Sequence, residues 1–155
     1  AFSGFAADTV FIGKTAYNFT LPDKDGKVVS MKDFKGKVVF IDTWATWCGP
    51  CKYQIPFLQT LEKEYQGNDN VVFVGISIDR EKDKQKWLDM LKEKQLDGVQ
   101  LLDDMGKSFG KQYKITAVPR FLMIDKNGNW AEIRCPLPDE HDKLKTFIDR
   151  VIASK

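Results

Sequence analysis

Val38-Val39-Phe40-Ile41 is an unbroken apolar run rich in β-branched residues, and Val71-Val72-Phe73-Val74-Gly75-Ile76-Ser77-Ile78 is a second. Runs of this kind read as strands buried on both faces of a sheet. Between them Ile55, Leu58, Leu61 and Tyr65 recur at intervals of three and four, the spacing of one helical face. This predicts a helix over residues 52–65, kinked at Pro56. A second helix is expected from about Asp83 to Lys94, with Trp87, Leu88 and Leu91 inward and its lysines in solvent. Residues 98–102 read as a short strand and 107–113 as a short helix. A strand opened by Pro119 runs to Ile124, and Asp125-Lys126-Asn127-Gly128 turns it back into residues 130–134. The last helix, about 140–153, places Leu144, Phe147, Ile148 and Val151 inward with Asp139 as N-cap. Near the start, residues 18–21 and 28–30 form a hairpin through Asp23-Lys24-Asp25-Gly26. Strands alternating with helices and ending in a hairpin predict an α/β fold, a central mixed sheet with helices on both faces.

A chain of 155 residues fits one domain with a sizeable core. Residues 15–155 are expected to form it, and residues 1–14, opening on the apolar Ala1-Phe2-Ser3-Gly4-Phe5-Ala6-Ala7, read as a linker or remnant. A formal charge of +2 makes neither nucleic acid nor an anionic membrane an obligatory partner. No run is long enough to span a bilayer. No Met-led basic and apolar leader precedes Ala1, so any targeting segment is expected to have been removed or never present.

The chemistry concentrates in Trp47-Cys48-Gly49-Pro50-Cys51. Two cysteines separated by two residues can close a small disulfide ring and reopen it. The predicted strand and helix put Cys48 just ahead of a first helical turn, where unpaired N–H groups and the positive end of the helix dipole favour an anion. Such a setting lowers a thiol pKa from about 8.5 into a range of roughly 3.5 to 7.5, so Cys48 is the expected nucleophile. Cys51, one turn into the helix, is expected to be shielded and to resolve the mixed disulfide that Cys48 forms. Zinc needs four ligands, and one pair plus the distant Cys135 and His141 do not compose a set. A static disulfide across so short a loop removes little chain entropy.

The segment Trp44-Ala45-Thr46-Trp47-Cys48-Gly49-Pro50-Cys51-Lys52 resembles the active site of the thioredoxin superfamily. Thr116-Ala117-Val118-Pro119-Arg120-Phe121-Leu122-Met123-Ile124-Asp125 resembles the family's second signature, a cis-proline opening a strand, and Asp42 falls at its buried acid position. The N-terminal hairpin and the long segment between Asp79 and Leu102 are additions similar to those of the TlpA/ResA-like branch, and they also occur in AhpC/TSA-type peroxiredoxins. The resemblance implies a thioredoxin fold with an N-terminal β-hairpin and a central helix-strand insertion. It implies a thiol:disulfide oxidoreductase working through Cys48 and Cys51, with no cofactor beyond that pair. Trp47, Gly49, Pro50, Val118 and Pro119 would contact substrate, a cis turn bringing the Val118 backbone beside Cys48 for pairing with an extended strand. It further implies an extracytoplasmic monomer, in a bacterial periplasm or cell envelope. There a membrane thiol reductant would keep it reduced, and protein disulfides or dithiols, including those of apocytochrome c, would be its clients.

Asp42 closes an apolar run, so its pKa should rise if it is enclosed, and the resemblance implies that it takes a proton from Cys51. The alternative is a carboxylate solvated at the strand end or paired with a lysine. Trp44 reads as core and Trp47 as rim, Tyr53 and Phe57 as helix packing, Lys52 as solvated, and Arg120 as a possible partner contact. Cys135 reads as a small, partly buried apolar side chain and His141 as a surface histidine. Two other functions compete. Peroxiredoxins frame their cysteine with Pro-x-x-x-Thr/Ser-x-x-Cys, but Ile41 and Ala45 occupy those positions here. A thioredoxin fold can also serve as a binding module in which the cysteines are incidental. The Gly49-Pro50 dipeptide resembles that of reducing members, so reduction of protein disulfides is the expected direction.

Overall fold

The structure, a computed structural model, describes residues 9–16 and 19–155. Its main sheet contains β3 (Val38–Trp44), β4 (Val71–Ser77), β5 (Val99–Leu102), β6 (Arg120–Ile124) and β7 (Trp130–Glu132), in the order β5-β4-β3-β6-β7. Strands β3, β4 and β5 are parallel, while β6 runs antiparallel to β3 and β7 antiparallel to β6. A separate antiparallel hairpin pairs β1 (Thr20–Pro22) with β2 (Val28–Ser30). Helices α1 (Gly49–Glu64), α2 (Lys84–Glu93), α3 (Phe109–Gln112) and α4 (His141–Ala153) complete the thioredoxin-like arrangement.

Successive strand residues point to opposite faces, and β3 shows how the two cores divide. Val39 and Ile41 pack with Phe109 and Tyr113 of the α3 region, Trp130, and Leu21 and Val29 of the hairpin. Val38 and Phe40 pack on the other face with Leu58 and Leu61 of α1 and Leu144, Ile148 and Val151 of α4. A third cluster joins Trp44, Cys48 and Cys51 to Trp87 and Leu91 of α2 and to Leu102. The active-site end of the sheet is thus closed by the inserted helix.

The N-terminal segment is tied to the sheet by backbone bonds. Gly13 N–H donates to the Trp130 carbonyl, Trp130 N–H to the Lys14 carbonyl, and Asp23 bridges to Leu101 of β5. The proposed strand residue Asn18 lies outside the described residues, as do residues 1–8 of the expected linker.

Several local details differ from the sequence reading. Helix α1 runs through Pro56 without ending there and begins earlier than expected, at Gly49. Strand β7 stops at Glu132, because the Glu132 carboxylate accepts the N–H groups of Ile133 and Arg134 and draws the chain out of the ladder. The N-cap of α4 is Glu140, not Asp139. The Glu140 side chain turns back to accept from Leu137 N–H, while Asp139 N–H donates to buried Gln54. Arg120 is buried, with Nε donating to the Ile133 carbonyl at 2.8 Å, so it is no surface contact. Tyr53 and Phe57 are exposed and pack on each other rather than into the core.

Candidate active site

Strand β3 delivers the chain to the cysteines, and the turn into α1 is built around Cys48. Cys48 is the N-cap in extended conformation, with Pro50 in the first turn, where a missing N–H costs nothing. Its Sγ accepts the Cys51 N–H at 3.1 Å, so one of the unpaired donors of the helix start is aimed at this sulfur. Cys48 and Cys51 are joined as a disulfide, with Cα atoms 5.3 Å apart. Both residues are buried, so the distinction between them lies in the N–H donor directed at Cys48 and not in exposure.

The Val118 carbonyl lies 3.6 Å from Cys48 Sγ, and the Val118–Pro119 bond is cis. Trp47 is 65% exposed beside the pair, Gly49 and Pro50 are also exposed, and Val118 and Pro119 are half-buried. The structure therefore brings these five residues and the disulfide to one end of the sheet. Trp44 is core, as its position suggested.

Asp42 sits beneath the disulfide, on β3 opposite Gly75 of β4 and Phe121 of β6. It lines a cavity of about 20 Å³ with Trp44, Cys51, Glu62, Asp97 and Gln100 among its walls. That volume has room for a single water-sized molecule. Burial, and after it the charge of Glu62, raises the Asp42 pKa to about 7. Glu62 is likewise raised to about 7, by burial and then by Asp97. Across the ladder, a Cβ at Gly75 would run into the Gln100 amide, so glycine there lets Gln100 reach over the strand.

Sequence reading missed the support beneath Trp47. Asp79, buried just beyond β4, accepts from Thr46 N–H at 3.1 Å, the Thr46 hydroxyl at 2.7 Å and the Ser77 hydroxyl at 2.5 Å. This network ties the loop preceding Cys48 to the end of β4. An acid following an apolar strand, with short hydroxyl residues on the neighbouring segments, was the available signal. His141 bridges helices, its ring nitrogens each 2.8 Å from Glu64 or Asp142. Cys135 is buried and unbridged, in the core between α1 and α4.

As arranged, the site can hold a nucleophilic sulfur at a helix start, a second sulfur placed to attack it and release a bound partner, and a carboxyl beneath to move a proton. Comparison with known proteins agrees. The Redoxin family profile matches residues 12–142. A thiol-disulfide oxidoreductase ResA from Bacillus cereus is 32% identical over 133 residues, covering 84% of this chain and 75% of that protein. A Bacteroides vulgatus crystal structure assigned as a thiol-disulfide oxidoreductase superimposes with a TM-score of 0.80 at 33% identity, covering 92% of this chain and 98% of that one. A Bacteroides fragilis thiol-disulfide oxidoreductase gives a TM-score of 0.76 at 28% identity, covering 86% and 99%. The chain belongs to the redoxin family of the thioredoxin superfamily, as a TlpA/ResA-like thiol:disulfide oxidoreductase.

Proposed function

We propose that this protein reduces disulfides of extracytoplasmic client proteins, with Cys48 as nucleophile, Cys51 as resolving thiol and Asp42 as proton acceptor. The observation that carries the assignment of Cys48 is the Cys51 N–H aimed at its sulfur at the start of α1. In the reduced protein that donor and the helix dipole stabilise a Cys48 thiolate. The thiolate attacks a client disulfide, forming the mixed disulfide and releasing one client thiolate, which takes a proton from solvent. Cys51 then gives its proton to Asp42 and attacks Cys48. The Cys48–client bond breaks, its electron pair leaves on the second client sulfur, which takes a proton from solvent, and the client departs as a dithiol.

Val118, beside Cys48, offers backbone for an extended client segment, Pro119 shapes that turn, and Trp47, Gly49 and Pro50 form the adjoining rim. The cysteine pair is the whole redox centre, with no further cofactor. A membrane thiol reductant returns it to the dithiol, apocytochrome c is a client, and the protein acts as a monomer in the periplasm or cell envelope. Among the described residues no helix is long and apolar enough to cross a membrane.

Insulin reduction by wild type and Cys48→Ser, trapping of client in Cys51→Ser, and a glutathione redox titration test this reading. Turnover lost in Cys48→Ser, client captured by Cys51→Ser and a potential toward about −270 mV are expected; one near −120 mV would reverse the direction.

A further inference from the structure

Glu62 lies on α1 four residues after Leu58 and seven after Ile55, and all three line the cavity beneath Cys51. A helix places such residues on one face, so the carboxyl is carried inward although its sequence neighbours Lys63 and Glu64 are charged. Asp42 and Glu62 together line both this cavity and a smaller one of about 10 Å³ behind it, bounded by Phe73 and Gly75. Gln100 faces both spaces. Its Nε2 donates to the Asp97 carbonyl at 2.8 Å, which sets the orientation of the amide. Its Oε1 is enclosed and meets no donor among the described residues. An acceptor so placed suits the hydroxyl of a protonated carboxyl or a bridging water.

The titratable groups facing this space are Asp42 from β3, Cys51 and Glu62 from α1, and Asp97 from the segment before β5. Strand β4 contributes Phe73, Val74 and Gly75, none of them charged. Among the described residues no lysine or arginine lines either cavity, and Lys63 faces only the outer groove that Glu62 also borders. Two half-buried carboxyls that line the same small cavities with no cation between them resist ionising together, and their titration is coupled.

We propose that Glu62 is a positioning residue that shares one proton with Asp42 and thereby sets the pH range over which Asp42 takes up the proton of Cys51. The proposal rests on the reading of Asp42 as proton acceptor. Before resolution the pair holds one proton, bonded toward Gln100 Oε1. As Cys51 attacks Cys48, the Cys51 proton passes to the Asp42 carboxylate and the pair holds two. When the disulfide is next reduced, that proton returns to the Cys51 sulfur. Burial acts on both carboxyls, and the charge of Glu62 is the second influence on Asp42.

Carboxyl carbon NMR on the oxidised protein reads the sharing directly. Wild type is expected to titrate in two coupled steps. In Glu62→Gln, Asp42 is expected to titrate alone, about one pH unit lower. Glu62→Asp, which keeps the charge, is expected to retain both steps and guards against a fold defect in the glutamine variant. Resolution is followed by stopped-flow release of 2-nitro-5-thiobenzoate from its mixed disulfide with Cys48. Glu62→Gln should move the rising limb of the pH–rate profile to lower pH by the same interval and lower its plateau, as a weaker base does. An Asp42 titration unmoved in Glu62→Gln overturns the shared proton. A uniform rate loss with an unmoved midpoint assigns Glu62 a structural part only and overturns the kinetic role. Resolution in Asp42→Asn at the wild-type rate across pH overturns the reading of Asp42 itself, and with it the kinetic role, while the NMR arm reports separately on the pair.

Discussion

Asp42 is the only ionisable residue of β3, and replacing it with asparagine should stabilise the protein at alkaline pH. A carboxyl whose pKa is higher folded than unfolded holds its proton in the native state after the unfolded chain has lost it. Stability therefore falls as pH rises between the two values. For Asp42 that window runs from the ordinary 3.8 to about 7. At about 1.4 kcal/mol per pH unit the full loss above the window is about 4 kcal/mol. Asp42 keeps partial accessibility through its cleft and shares its titration with Glu62, so about half of that is expected in practice. The asparagine side chain carries no charge and escapes the loss. Thermal unfolding of oxidised wild type and Asp42→Asn at pH 4 and pH 8 measures it. Similar melting temperatures are expected at pH 4, and a rise of about 4–8 °C for the variant at pH 8, from about 2 kcal/mol in a chain of this size. A difference between the two proteins that stays constant from pH 4 to pH 8 would refute the argument that burial, and not local packing, governs this carboxyl.

Asp79→Ala strips the acceptor from Thr46 N–H and from the Thr46 and Ser77 hydroxyls, all enclosed. A loss of about 3 kcal/mol in urea unfolding is expected, with slower reductase turnover as the loop before Cys48 loosens, and an unchanged midpoint would count against it. Hydrogen bonds from the His141 ring to Asp142 and Glu64 raise its pKa above the usual value. Its contribution is thus full below about pH 6.5 and lost as pH rises through the higher folded value. His141→Gln should lower the melting temperature at pH 5.5 more than at pH 9, and equal losses at both would contradict the bridge.

The strands and long helices were legible because apolar spacing records which faces are covered. Asp42 stood out for a related reason, a charge closing an uninterrupted apolar run. Glu62 did not, since within the predicted helix it sits among charged residues and apart from the apolar positions that marked the inner face. Only its register with Ile55 and Leu58 placed it inward, and what it meets there comes from β3 and from residues 97–100. Arg120 was misplaced because an arginine at a strand start usually faces water, whereas here the chain beyond β7 folds over it and supplies the Ile133 carbonyl. Tyr53 and Phe57, read as helix packing, meet each other with tilted rings on the exposed side of α1, because four residues apart they share a face that the core does not cover. The Asp79 network joins residues 33 apart in sequence, so the acid beyond β4 was visible but its pairing with Thr46 was not.

The N-terminal segment also has a bearing on the outer edges of the sheet. Residues 13–16 bond to the β6–β7 hairpin, and Asp23 bridges to Leu101 on β5, the opposite flank of the sheet. A bare outer strand is a template on which any extended chain can add itself. With Gly13 and Lys14 bonded to Trp130 on β7 and Asp23 bridged to Leu101 on β5, part of each outer strand already has a partner from within the chain, which shortens the bare edge on which a foreign strand could grow.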